Sequence, residues 1–319
     1  MSYRTDLALE EKESSGELNL EGVSSEDLHF DGLNITRVKI MNEVGSRLLN
    51  KPQGNYITIE FDDISGDGDG LLKLIEKVSY ELKTLCGLQD GDAVLIAGLG
   101  NEQITPDALG PKAAKKIIAT RHIKDNLPTF SYNDIKFRDV AVISPGVLGQ
   151  TGIETAEIIK GVVDRIQPKL VIVIDALMSR KMKRLAKTVQ IADSGLIPGG
   201  GVGNARASIT KEYLGVPVIS LGVPTVVDAA TLSCDVIDEV LMTVKNNVFS
   251  DINMIWDNFP DNEKYELIRQ SLAPYDLNLI VTPKDIDFFI SEISKVVGYT
   301  INKTMHEKIT IEDIEALLS

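Results

Sequence analysis

A chain of 319 residues, 43% hydrophobic and 25% charged, has the balance of a soluble globular protein with one large domain or two modest ones. Its formal charge of −14 opposes direct binding to nucleic acid, whose phosphates would be repelled. No apolar run opens the chain and none reaches the ~18 residues of a spanning helix, so neither a signal peptide nor a membrane span is expected.

Residues 1–55 are polar and acidic with short hydrophobic pieces, and read as an N-terminal arm that packs only in part, ahead of a main domain over 56–319. Tyr56–Phe61 alternates like a strand. The acidic turn Asp62–Gly70 resembles half of a calcium loop, but Leu71 takes the third acidic position and no closing Glu stands in register. A helix is predicted over Leu71–Cys86, with Leu72, Ile75, Val78 and Leu82 on one face.

From there strands and helices alternate. Ala93–Leu99 is an apolar strand, and Thr105-Pro106 opens a helix running to about Ala119, Thr as N-cap and Pro in the first turn. Phe137–Ile143 is a strand, and Thr151-x-x-Glu154 is a capping box ahead of a helix to about Ile166. Leu170–Ile174 is wholly aliphatic, as a parallel strand buried on both faces would be. Strands Thr188–Ala192 and Val216–Leu221 flank the glycine-rich loop Leu196–Asn204. Beyond about Val226 the pattern is helical, near Asn262–Leu272, Lys284–Val297 and Ile311–Leu318. The order implies an α/β fold: one central mixed, mostly parallel sheet with helices on both faces and a helical C-terminal region.

Open α/β sheets bind ligands outside the carboxyl ends of their strands. Asp175 directly follows Leu170–Ile174, and Asp107 lies one loop beyond Ala93–Leu99. Two carboxylates sharing a site do not both ionise easily, which supplies a base to activate water and an acid for a leaving amine. Each has a plainer alternative: Asp107 as a favourable charge at a helix N-terminus, Asp175 as the cap of a turn. Gly98-Leu99-Gly100-Asn101 follows a strand, but Gln103 replaces the third glycine of a dinucleotide fingerprint. His29, His122 and His306 lie far apart in sequence, so they define no metal cluster. The chain holds no G-x-S-x-G element and no histidine beside Cys86 or Cys234, which leaves serine and cysteine hydrolase templates unsupported. Those cysteines have neither disulfide nor zinc spacing and read as small hydrophobes in a reducing cytoplasm.

The stretch DAVLIAGLGNEQITPDALGP (Asp92–Pro111) resembles the signature of the germination proteases of spore-forming bacteria. The resemblance continues through Ser144–Val163, Val171–Arg180, Gln190–Asn204, Leu214–Ala229 and Leu272–Asp287. It implies an atypical aspartic endopeptidase, without cofactor, that cuts small acid-soluble spore proteins after a glutamate during germination. The family's essential aspartates, in its TPDALGP and IDAL blocks, fall on Asp107 and Asp175. It further implies a homotetramer, a cytoplasmic place in the spore core, and synthesis as a zymogen. The mature chain of such zymogens starts near a segment like Tyr3–Ala8, ahead of which almost no propeptide stands here.

For the substrate glutamate this acidic chain needs a local cation, for which Arg180, Arg184 and Arg206 are candidates, each with surface solvation as the alternative. Gly201 and Gly203 would let backbone approach an extended substrate. A wider fold resemblance is to hydrogenase maturation endopeptidases, which recognise nickel with two carboxylates and a histidine. The stretch from Met178 to Thr225 holds no histidine, so that metal-dependent alternative lacks its third ligand. A non-catalytic nucleotide-binding module is the other alternative.

Overall fold

A computed structural model describes residues 4–16, 19–62, 68–123, 137–197, 207–244, 256, 258–274 and 278–318. The strands are β1 (Val23–Phe30), β2 (Leu33–Ile40), β3 (Gly54–Glu60), β4 (Val94–Gly98), β5 (Val140–Ile143), β6 (Leu170–Ser179), β7 (Thr188–Ala192), β8 (Val218–Asp228) and β9 (Ile280–Val281). They form one sheet in the order β1-β2-β3-β7-β8-β6-β4-β5, with β9 paired to β8. The helices are α1 (Ala8–Ser15), α2 (Glu43–Leu48), α3 (Gly68–Cys86), α4 (Leu109–Ala114), α5 (Leu148–Thr151), α6 (Thr155–Ile166), α7 (Lys211–Leu214), α8 (Ala229–Val244), α9 (Asp261–Leu272), α10 (Ile286–Met305) and α11 (Ile311–Leu318).

Alternation along the buried strands divides the core. Val94, Ile96, Leu170, Ile172 and Ile174 face one layer, with Leu74, Ile75, Val78 and Leu82 of α3, Leu109 of α4, and Ile290, Ile293 and Val297 of α10. Leu95, Ala97, Val171 and Val173 face the other, under Ala156, Ile159 and Val163 of α6. Each fully buried Val, Leu or Ile contributes roughly 1.5–3 kcal/mol, so this double-sided core fixes which way β6 faces. On α3 the buried face is as expected except for Leu72, which is exposed while Leu74 takes the core position.

The sheet is less parallel than the sequence suggests. Parallel pairing joins β5, β4, β6 and β8, whereas β1–β2, β2–β3, β3–β7, β7–β8 and β8–β9 are antiparallel. Part of the difference comes from β7 and β9, which run antiparallel to β8, and part from residues before Tyr56, expected to pack only in part. Instead β1 and β2 are full strands registered onto β3, and Leu7, Ala8, Ile35, Val38 and Ile40 are buried. Their polar face disguised them: β2 alternates buried and exposed positions, and β1 is an edge strand exposed along most of its length.

Both expected caps are replaced. Thr105 opens only a short 3-10 turn, Thr105–Asp107, and its hydroxyl donates to Asp287 Oδ1 (2.8 Å) just inside α10. α6 starts at Thr155 rather than behind a Thr151 cap, because Thr151 closes α5 and accepts from Ile153 N–H (3.1 Å).

His306, at the end of α10, is 1% exposed, lies edge-on to Phe137, and accepts the Arg138 N–H on Nδ1 (3.3 Å). Burial, helped by the charge of Arg138, pushes its pKa from 6.5 down to about 4. A depressed folded-state pKa gives stability that is complete above 6.5 and lost as pH falls towards 4, because the unfolded chain takes up the proton first. We predict a loss on the order of 2 kcal/mol between pH 7 and pH 5 in urea unfolding, and a flatter profile for His306→Gln. An unchanged slope in the variant would assign the pH dependence to other groups.

Candidate active site

β4 is short and β6 is long. Their ladder ends at Gly98 opposite Ile174, where Leu99 N–H donates to Ile174 O (2.8 Å), and Asp175 is the next residue of β6. The strand continues to Ser179 beside β8, so Asp175 lies within β6, at the point where β4 stops, rather than at the tip the sequence suggested. It is buried, and its Oδ1 accepts the Ala176 N–H (2.9 Å). Across the ladder stands Gly222, where a Cβ would fall 2.5 Å from the Leu177 side chain. A larger residue beside Asp175 would collide with that leucine.

Beyond β4 the chain turns through Gly98–Asn101 and returns over the strand ends. At Gly110 a Cβ would fall 2.2 Å from Leu99 O and 2.7 Å from Ile174 O, so the α4 backbone rests on the ends of β4 and β6. The 3-10 turn bearing Asp107 lies about one helical turn earlier and packs against β6 and β8. Asp107 therefore sits on the segment laid over Ile174, and Asp175 is the next residue after Ile174. The structure brings these two acids to the same sheet edge.

Asp107 is tied to the turn beneath it. Its Oδ2 accepts the Asn101 N–H (2.7 Å), and its backbone crowds Gly100, whose φ is +110°. Asn101 Oδ1 in turn accepts from Gln103 N–H (3.0 Å) and from Gln150 Nε2 (2.8 Å) of α5. β4 and β5 thus send their connections to opposite faces, α4 to one and α6 to the other, and the Asn101–Gln150 bond joins the two loops above the gap. Such a switch point is where open α/β sheets take ligands. Asn101 and Gln150 carry no sequence signal of their own, since their meeting depends on the crossover. Among the described residues no three His, Cys, Asp or Glu side chains gather as a metal site.

Of the candidate substrate cations, Arg184 and Arg180 are described, and both have acidic partners. Arg184 is 2% exposed and donates to Glu10, Glu13 and Glu60, so its guanidinium is spent in a buried cluster in this structure. Burial acts to raise the Glu13 pKa, but hydrogen bonds from Arg184 and Lys181 prevail and hold it at about 2. Arg180, about 16 Å beyond Asp175 along extended backbone, donates to Ser14 Oγ (2.9 Å) and Asp235 Oδ1 (3.2 Å). Gly201, Gly203 and Arg206 lie outside the described residues. On either side of them Leu196 and Ile209 form a bridge, and both pack in the core layer of Val171 and Val218, near the starts of β6 and β8.

Comparison with known proteins gives a consistent assignment. A family model described as germination protease matches residues 4–253 and 246–317. A germination protease of Caldanaerobacter subterraneus subsp. tengcongensis is 46% identical over 100% of this chain and 98% of its own. One from Clostridium tetani is 43% identical over 100% of both chains. One from Bacillus pumilus is 36% identical over 98% of this chain and 95% of its own.

The packing at Gly100 gives a direct test. A Cβ there would lie 2.0 Å from Asp107 O in a left-handed backbone, so Gly100→Ala should lose about 1–3 kcal/mol in urea unfolding. Gly149→Ala, with nothing within 4 Å, should change stability by less than ~0.5 kcal/mol. Equal stability of the two variants would show that the turn under Asp107 is not constrained.

Proposed function

Because this chain belongs to the germination protease family, we propose that it opens the breakdown of small acid-soluble spore proteins, cutting them after a glutamate. A protease function in spore germination follows from the family itself; the substrate, the cleavage position and the mechanism are our reading. The observation that carries it is the packing of the Asp107 turn against β6 and β8, with Gly110 of the following helix seated on Ile174, the residue before Asp175.

In this reading Asp107 and Asp175 share one proton and hold a water between them. One carboxylate takes the proton of the attacking water, and the other passes a proton to the leaving amine. The site's own backbone limits the motion of both groups: Asn101 N–H fixes Asp107, and the β6–β8 ladder fixes Asp175. Proximity of this kind replaces a search in solution by a fixed geometry. We assign no resident metal or cofactor to the reaction. The family resemblance also carries a homotetramer and a place in the spore core into this proposal. With Arg184 occupied, Arg180 and Arg206 are the candidates for a cation that reads the substrate glutamate.

Asp107→Asn and Asp175→Asn should each slow cleavage of a purified acid-soluble spore protein by at least ~10³-fold, and the double variant should be little worse, because residues acting as a unit are non-additive. Folding should persist, since the amide keeps the size of the carboxylate. Mass mapping of the fragments should place the cuts after glutamate, and chelators should leave the rate unchanged. A fully active Asp175→Asn enzyme, or a chelated sample restored by nickel or zinc, would overturn the mechanism.

A further inference from the structure

Past Ile174, β6 loses β4 as a neighbour, and the start of the chain takes up that edge. Residues two apart on a strand point their backbone groups to the same side, so Met178 faces the side that Ile174 faces. Ile174 O accepts from Leu99 N–H (2.8 Å), and Met178 O accepts from Asp6 N–H (2.9 Å). Met178 N–H in turn donates to Asp6 Oδ2 (2.7 Å). Asp6 therefore closes the same edge of β6 that β4 closes up to Ile174.

The segment around Asp6 is itself anchored. Gln190 of β7 accepts the Ala8 N–H (2.8 Å) and donates to Asp6 O (3.0 Å), and Lys51 Nζ donates to Thr5 O (2.9 Å). One turn later Glu10, 1% exposed, accepts from Ser179 Oγ (2.9 Å), Arg180 N–H (2.6 Å), Lys181 N–H (3.1 Å) and Arg184 Nη1 (3.0 Å). Arg184 neutralises this buried carboxylate and is held by Glu13 and Glu60. The stretch of β6 beyond β4 is thus fastened by β8 on one edge, by Asp6 at Met178 on the other, and by Glu10 at its end.

We propose that Asp6 is a positioning residue for Asp175: its paired hydrogen bonds with Met178 hold β6 beyond β4 in the geometry that aims the Asp175 carboxylate. This rests on the reading of Asp175 as one of the catalytic pair. In consequence the segment around Asp6 belongs to the working enzyme, and loosening it would lower activity ahead of the rest of the fold.

The test compares Asp6→Asn, Asp6→Ser and Asp6→Ala in the full chain, with kcat and KM for an acid-soluble spore protein. Asn keeps an acceptor at the position of Oδ2 and should retain near-normal kcat. Ala and Ser should lower kcat at least ~10-fold while KM stays within about threefold, the pattern of a misaimed group rather than a lost binding contact. Val78→Ala, in the core layer under α3, serves as a destabilised control and should keep kcat. Two outcomes overturn the proposal alone, with Asp175→Asn inactive: Asp6→Ala at wild-type kcat, or Val78→Ala losing kcat equally. Failure of both Asp6→Ala and Asp6→Ser to fold would also overturn it, making Asp6 structural. An active Asp175→Asn enzyme would instead remove the catalytic reading on which it rests.

Discussion

The arrangement depends on one backbone contact, between Gly110 and the ends of β4 and β6. Any side chain at Gly110 would fall within 2.2–2.7 Å of the carbonyls of Leu99 and Ile174, and one at Gly98 within 2.2 Å of Gly110 O. Because both positions lack a Cβ, the chain folds straight back over the strand it has just left. That return carries Asp107 to the edge where β6 presents Asp175. A bulkier residue at either glycine would lift α4 by ångströms, and a well-packed core on both faces leaves no room to absorb the shift.

The second requirement is a mismatch of lengths. β4 ends at Gly98 while β6 runs to Ser179 and β8 to Asp228. Two long strands projecting past a short one leave an exposed edge, and unpaired backbone at such an edge is costly unless something pairs with it. Here the start of the chain does so through Asp6 and Met178, and Glu10 and Arg184 bury their opposite charges beneath it. A buried ion pair contributes little net stability, but breaking one leaves an uncompensated charge, so this cluster defines geometry more than it adds energy.

Much of this was legible in the sequence where the signal is local. The aliphatic run before Asp175 announced a central parallel strand, the spacing on α3 announced its buried face, and the acid after Thr105-Pro106 stood beyond a strand end. Signals that depend on distant partners were not. Thr105 looks like an N-cap until α10 brings Asp287 to its hydroxyl. Arg184 looks like a free surface cation until Glu10, Glu13 and Glu60 converge on it from α1 and β3. β2 looks like part of a loose polar arm because only its inward positions are apolar, and β1 hides further by being the sheet edge.

The central claim is that Asp107 and Asp175 form one functional unit. Carbon-13 spectra of the carboxyl groups, recorded across pH on aspartate-labelled protein and assigned with the single Asn variants, test it most directly. Carboxyls that share a proton titrate in macroscopic steps belonging to the pair. The account predicts that each of the two carbons reports both steps, and that replacing either residue collapses the other to a single step. Two independent single-step titrations, each unmoved by replacement of the other residue, would contradict it.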